Sequence, residues 1–172
     1  MPEMLSKAIR IASQAHEGQF DKANNPYILH SLRVSMNVGS NKSLMAAAVL
    51  HDVVEDTLWT LQDIKDEGFC EEVLDAVDSM TRREGNETTN REDYHEEFIP
   101  RLMKNDFAVI IKMADLTDNS SDERLVNLPE ETMQRFLKKY ARTRYVLMQR
   151  YIESCKKVYG GVCNGSKFIF GS

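Results

Sequence analysis

Apolar residues recur at helical spacing along nearly the whole chain. Leu5, Ala8, Ile9, Ala12 and Ala15 mark one face of a first helix, which Gly18 ends. The polar stretch GQFDKANNP follows. Pro26 then suits the start of a second helix running to about Val38, with Ile28, Leu32 and Met36 on one side. Asn41 or Ser43 caps a third helix, SLMAAAVLHDVV, whose alanine- and leucine-rich makeup predicts a central, largely buried element. Thr60-x-x-Asp63 reads as a capping box, with Asp in place of the usual Glu or Gln, opening a short fourth helix that Gly68 stops. CEEVLDAVDSMT reads as a fifth helix, REDYHEEFIPRLMKN as a sixth bent near Pro100, and DFAVIIKMADLTDNSSD as a seventh, apolar at first and then acidic. After Pro129, EETMQRFLKKYARTRYVLMQRYIES predicts a long eighth helix. RREGNETTN is a surface loop, and GGVCNGSKFIFGS has too many glycines for a helix, leaving a short strand or a loose tail. No convincing alternation and no repeat occurs. The pattern predicts an all-α, single-domain bundle of about eight helices over residues 1–172, with a core over about 5–154 and a C-terminal tail over 155–172.

Composition narrows the function classes. A chain of 172 residues with 42% hydrophobic content can bury one real core. A net charge of −5 disfavours a general nucleic-acid binder, but an anionic small-molecule substrate stays open, because local charge and metals can oppose the global sign. Cys70, Cys155 and Cys163 are odd in number and irregular in spacing, which fits reduced thiols in the cytoplasm. The N-terminal segment lacks the apolar core of a signal peptide, and no run approaches the roughly 18 apolar residues of a membrane span. These features imply a cytoplasmic protein with no membrane or nucleic-acid partner, and they leave a homo-oligomer open.

The stretch VLHDVVEDT, residues 49–57, packs four ionisable side chains where the pattern enters the core. On a helix His51 and Glu55 lie one turn apart, and so do Asp52 and Asp56. The result is a His/Asp layer beneath a Glu/Asp layer. Neighbouring carboxylates repel unless a cation or a proton relieves them. His30 closes PYILH on the preceding helix, and the apolar run before Asp115 should bring that residue to the inner surface of the seventh. A lone His-Asp pair is more often a capped helix or a surface ion pair. A set of His30, His51, Asp52 and Asp115 suits a borderline-hard divalent ion such as Mn²⁺, Fe²⁺ or Zn²⁺ better than Ca²⁺ or a thiolate-bound metal. Four ligands on an octahedral ion leave positions for water and substrate.

At these separations H…HD…D resembles the HD-domain metal-dependent phosphohydrolases. Within them it is similar to the hydrolase domain of RelA/SpoT-type alarmone enzymes. AHEGQFDKANNPYILH resembles that family's A-H-x-G-Q-x-R-K-x-x-x-P-Y-I-x-H, VLHDVVEDT carries its HD-x-x-E-D-T, and KMADLTDN resembles its K-x-A-D-x-x-x-N. The likeness covers roughly residues 5–150 and implies a stand-alone small alarmone hydrolase without a synthetase or regulatory domain. It implies that His30, His51, Asp52 and Asp115 hold one Mn²⁺, and that Glu55 and Asp56 are the acids of hydrolysis. The bond cleaved would join a nucleotide's 3′-oxygen to its pyrophosphate, in (p)ppGpp or (p)ppApp. The products would be pyrophosphate and a nucleoside 5′-di- or triphosphate. A general nucleotide phosphatase releasing orthophosphate, or a non-catalytic nucleotide-binding module, is the alternative.

The same resemblance suggests substrate contacts. Lys22 stands at the family's lysine and would meet phosphate or cap the base; otherwise it is a solvated loop lysine. Asn119, four residues after Asp115, matches an asparagine that contacts the ribose, or it merely caps a helix end. Tyr27 packs beside the site or staples the helix entry. Tyr140 matches a tyrosine near the 5′-phosphates, with Tyr145 competing for that place. Arg82 and Arg83 reach phosphates or form a basic helix end. His16 reads as a structural hydrogen-bonder and His95 as solvent-exposed. Two positions depart from the family. Asp21 stands where an arginine is usual, where a carboxylate would repel phosphate and cannot stack on a purine, and Asp118 adds negative charge near the metal.

Overall fold

The computed structural model describes residues 2–82 and 94–160. Residues 83–90 of the expected surface loop, Arg83 among them, lie outside that set, as do the side chain of His95 and the tail from residue 161. Among the described residues there is no strand, only an isolated bridge between Phe20 and Pro26.

Helix α1 (Pro2–Ala15) leads into a loop that closes at α2 (Ile28–Asn37). α3 (Lys42–Leu50) begins at Asn41, whose side chain accepts from Leu44 N, so Asn41 rather than Ser43 is the cap. α4 (Val53–Asp56) and α5 (Leu61–Asp66) are short, and the expected Thr60/Asp63 capping box opens α5 with both of its hydrogen bonds. α6 (Glu71–Met80) is followed by a π-helical turn (Tyr94–Phe98) and α7 (Ile99–Leu102). Pro100 sits in the first turn of α7, where its missing N–H has no helical partner to lose. α8 (Asp106–Asn119), the four-residue α9 (Asp122–Leu125) and the long α10 (Glu130–Val158) complete the order. α10 runs four residues beyond the expected core limit of 154, and Cys155 is buried in it.

The centre is built from α3 and α8. Leu44, Ala46, Ala47, Ala48, Val49 and Leu50 are all fully buried, so α3 is covered on every side by α1, α2, α6 and α8. Its alanines let those helices approach closely. α8 buries ten of its fourteen residues and is covered in turn by α10, α2 and α6. Arg144 on α10 donates to Leu116 O (2.8 Å), and Arg150 donates to Met103 O (2.8 Å), tying the long helix across α8.

Two expectations are corrected. The side of α2 that carries Ile28, Leu32 and Met36 is not its buried face: Ile28 packs partly against the core, but Met36 is 72% exposed, and the buried residues are His30, Ser31, Val34 and Ser35. Small serines admit α3 closely, and Ser35 Oγ donates to Met45 O (3.0 Å). Nor does α3 run through His51 and Asp52. It ends at Leu50, a turn carries His51 and Asp52, and α4 restarts at Val53.

Candidate metal centre and its cavity

The break after α3 aims two side chains at one place. His51 Nδ1 bonds back to Ala48 O (2.9 Å), which assigns the ring's proton to Nδ1 and leaves the Nε2 lone pair facing inward. Nε2 lies 2.9 Å from Asp52 Oδ2, yet it is buried and makes no hydrogen bond. The two atoms therefore converge on shared space rather than on each other. From α2, His30 Nε2 comes within 3.6 Å of Asp52 Oδ2 and 3.3 Å of Asp115 Oδ1. Asp115 Oδ1 is 3.9 Å from His51 Nε2. Donor atoms of His30, His51 and Asp115 all lie within 4.8 Å of one another, and Asp52 lies against both imidazoles.

Each of these side chains is held from behind. His30 Nδ1 bonds Asp118 Oδ2 (2.7 Å), and Asp118 is clamped by Arg33, whose Nε and Nη2 both donate to it. Asp115 accepts from Lys112 Nζ (2.8 Å) and from Asn119 Nδ2. Tyr27 OH donates to Asp52 Oδ2 (2.6 Å), so this tyrosine packs beside the site and positions a carboxylate of the cluster. Such supporting bonds fix tautomer and ring orientation around a metal. Asp118 is thus paired by an imidazole and a guanidinium and is not a loose negative charge.

Charge in the cluster is strongly coupled. Burial alone would lower His30, but hydrogen bonds to Asp115, Asp118 and Asp52 overcome it and raise its pKa to about 10. Burial of His51 is likewise outweighed by the charge of Asp52. Burial would raise Asp52, but His51 and His30 hold it well below the usual carboxylate range. Burial of Asp115 is outweighed by Lys112 and His30, so it too is held low. Two carboxylates facing two imidazoles stabilise positive charge among them. With an orphaned buried Nε2 on His51 and a mixed nitrogen and carboxylate donor set, the residues fit a divalent transition metal.

Above the cluster opens a cavity of about 330 Å³. Lys22, Arg82, Lys112, Arg124 and Lys139 supply cations to its lining. Burial and then the charges of Arg124 and Lys139 lower the pKa of Lys22; burial and then Lys112 and Arg82 lower that of Lys139. Cations crowded until they depress one another suit a polyanion.

The structure places the expected site residues unequally. Glu55, Lys22, Tyr27, Asn119 and Tyr140 line the cavity. Glu55 accepts from the backbone N of Arg82 (3.1 Å) and from its guanidinium Nε (2.6 Å). Lys22 Nζ sits 3.6 Å over the ring of Phe136, which stacks on Tyr140. Tyr145 is 86% exposed, so Tyr140 is the tyrosine at the cavity. Asp56 is not brought in: it is exposed, outside the lining, 3.4 Å from Tyr27 OH. Burial, Asp52 and Glu55 raise its pKa to about 6. His16 is buried and bonds Gln19 Oε1 (2.8 Å). Asp21 does not face the cavity as a bare charge. Its side chain is fully buried and pairs with Arg124. Arg33, Arg124 and Lys139 were missed by sequence reasoning, because basic residues on helices carry no motif until the helices are packed; Lys112 stands in the K-x-A-D motif but was given no role there.

The family model described as HD domain matches residues 8–124. Among curated relatives, the chain is 34% identical over 116 residues to a guanosine-3′,5′-bis(diphosphate) 3′-pyrophosphohydrolase of Haemophilus influenzae, covering 63% of this chain and 17% of that protein. It is 31% identical over 162 residues to the protein of the same name from Borreliella burgdorferi, covering 90% of this chain and 24% of that one. It is 30% identical over 122 residues to the bifunctional (p)ppGpp synthase/hydrolase SpoT of Escherichia coli, covering 67% of this chain and 17% of that one. The chain spans a quarter or less of the length of these relatives. A solved structure described as a metazoan ortholog of SpoT that hydrolyzes ppGpp and plays a role in starvation responses shares the fold, with a TM-score of 0.69 and 22% identity over 90% of this chain and 95% of that one.

Proposed function

The chain belongs to the HD-domain family, and from that premise we propose that it hydrolyses the 3′-pyrophosphate of a nucleotide alarmone, (p)ppGpp or (p)ppApp, to pyrophosphate and the nucleoside 5′-di- or triphosphate. The observation that carries this is a His/Asp cluster at the floor of a cavity whose walls crowd cations together. One end of such a cavity suits a metal and the other a chain of phosphates. The relatives' names supply the alarmone class, and the 3′ linkage comes with them.

His30, His51, Asp52 and Asp115 would hold the metal, Mn²⁺ in this reading. When bound, such an ion supplies Lewis-acid polarisation of a phosphoryl oxygen and acidifies water. The chain's own residues do the rest. Glu55, oriented by Arg82, reaches into the cavity, where a carboxylate can align water and take its proton. Water bonds to the phosphorus beside the 3′-oxygen, the bond from that phosphorus to the 3′-oxygen breaks, and the oxygen takes a proton. Asp56, with a pKa near 6, lies beyond Tyr27 as the acid that exchanges protons with solvent at neutral pH. Lys22 and Lys139 meet phosphates, and Asn119 and Tyr140 wall the nucleotide. No helix among the described residues is long and apolar enough to cross a membrane. We place the enzyme in the cytoplasm, read residues 1–172 as a single hydrolase domain, and expect no nucleic-acid partner.

The test is a substrate panel with added Mn²⁺: guanine and adenine alarmones and simple nucleotides, with pyrophosphate and orthophosphate measured separately. Pyrophosphate release that Asp52→Ala abolishes, while the helical circular dichroism is retained, is the expected result. Orthophosphate alone, or tight binding without turnover, would overturn the reading.

A further inference from the structure

We propose that Arg124 and Asp21 form a latch that holds the Lys22 loop to the ligands of the metal centre, both acting as positioning residues; this rests on the reading of the cavity as a metal-dependent nucleotide site. Arg124 belongs to the single-turn α9 just after α8, and its side chain is only 6% exposed and lines the cavity. A guanidinium so buried is held by its partners. Its Nη2 donates to Asn119 Oδ1 (2.9 Å). Its Nη1 lies 3.6 Å from Asp118 Oδ2 and 3.5 Å from Asp21 Oδ2.

Every one of those partners holds something else. Asn119 donates to Asp115. Asp118 bonds His30 Nδ1. Asp21 Oδ1 accepts from the backbone N of Ala23 and of Asn25, both at 2.9 Å, closing the turn around Lys22. One side chain therefore bears on two metal-cluster residues and on the loop that carries a phosphate-facing lysine. Arg124 Nη1 and Asp21 Oδ2 are both buried without a hydrogen bond. Their tie is the Coulomb attraction of a desolvated pair, so it depends on charge more than on shape. That is why a carboxylate at position 21 is compatible with phosphate chemistry here. It lines the cavity, but its charge is answered by Arg124.

The latch separates two roles that experiment can tell apart. Arg124→Met removes support from His30 and Asp115, so Mn²⁺ affinity measured by calorimetry should fall about 10- to 100-fold, with kcat falling alongside. Asp21→Asn keeps both turn hydrogen bonds and removes only the charge. It should leave Mn²⁺ affinity within about twofold and kcat unchanged, while KM for the alarmone rises about fivefold. Trypsin cleavage after Lys22 should accelerate in both variants, and the double variant should be cleaved no faster than the quicker single one. If Arg124→Met fails to fold, Arg124→Lys keeps the charge, cannot span all three partners, and should change Mn²⁺ affinity in the same direction. Parental Mn²⁺ affinity in a folded Arg124 variant, parental cleavage in Asp21→Asn, or additive effects in the double variant would each overturn the latch. Should the parent turn over no nucleotide at all, the proposed function fails, while calorimetry and proteolysis still decide the latch.

Discussion

The floor of the cavity and its rim are built on opposite terms. His30, His51, Asp115 and Asp118 are 1, 1, 4 and 5% exposed, and each has a further partner in the protein besides its neighbours in the cluster. They stand on α2, on the turn that follows α3 and on α8, beside the helices that make the core. Lys22, Glu55 and Arg82 come from a loop, a single-turn helix and the segment after α6, and they keep some access to solvent. The floor is over-determined by packing and hydrogen bonds, so it can hold a metal without rearranging. The rim is held by charge, and loops of this kind can change without disturbing the core. In the proposed function the metal is held below, while Glu55 and the cations that would meet the nucleotide stand above.

The sharpest way to break this contrast is at the floor. His51→Ala should lower both activity and Mn²⁺ affinity more than about 100-fold, beyond the usual cost of a supporting residue. Calorimetry and a pyrophosphate assay check it together; a variant with near-parental metal affinity would remove His51 from the cluster. Glu55→Gln is the next largest. It should lower kcat about 10²- to 10⁴-fold while Mn²⁺ affinity stays at the parental level, because in the proposed function Glu55 works on water and is no metal ligand. Loss of metal instead would move Glu55 into the ligand set.

Lys22→Ala belongs to the rim and should act on binding. KM should rise about tenfold with kcat within about twofold, and the effect should shrink as salt is added. Steady-state kinetics at two ionic strengths decides this. The smallest effect concerns Asp56, whose pKa is raised to about 6 by burial, Asp52 and Glu55. A raised carboxyl binds its proton more tightly in the folded state than in the unfolded one. The contribution of this group to stability is therefore highest below the ordinary carboxylate pKa and declines as pH rises through about 6. Asp56→Asn should lift the thermal midpoint by about 2 °C at pH 7.5 and leave it unchanged near pH 4. An equal gain at both values would show that the group's charge is not what costs stability.

Much of this was legible before any coordinates. Leu5, Ala8, Ile9 and Ala12 at helical spacing, Asn41 before an alanine-rich run, and Thr60 with Asp63 each specify local structure through short-range geometry and hydrogen bonds, which a linear pattern encodes. The HD segment was legible as chemistry, but the turn that parts His51 and Asp52 from α3 was not. Nothing in VLHDVVEDT alone signals a break that is held by His51 bonding back to Ala48. Asp21 was misjudged for the same reason. A carboxylate in a loop reads as a charge facing solvent or substrate until Arg124, more than a hundred residues later, is found beside it.

Residue order was enough to settle most of the helices, the buried alanine-rich centre and the functional groups on offer, since side-chain periodicity and functional-group type are properties of neighbours in the chain. Packing alone decided which histidine face looks inward, which acid reaches the cavity and which acid stays outside it, and which guanidinium answers Asp21. Those outcomes depend on desolvation and on charges brought within a few ångströms by helices far apart in sequence, and no local pattern carries that information.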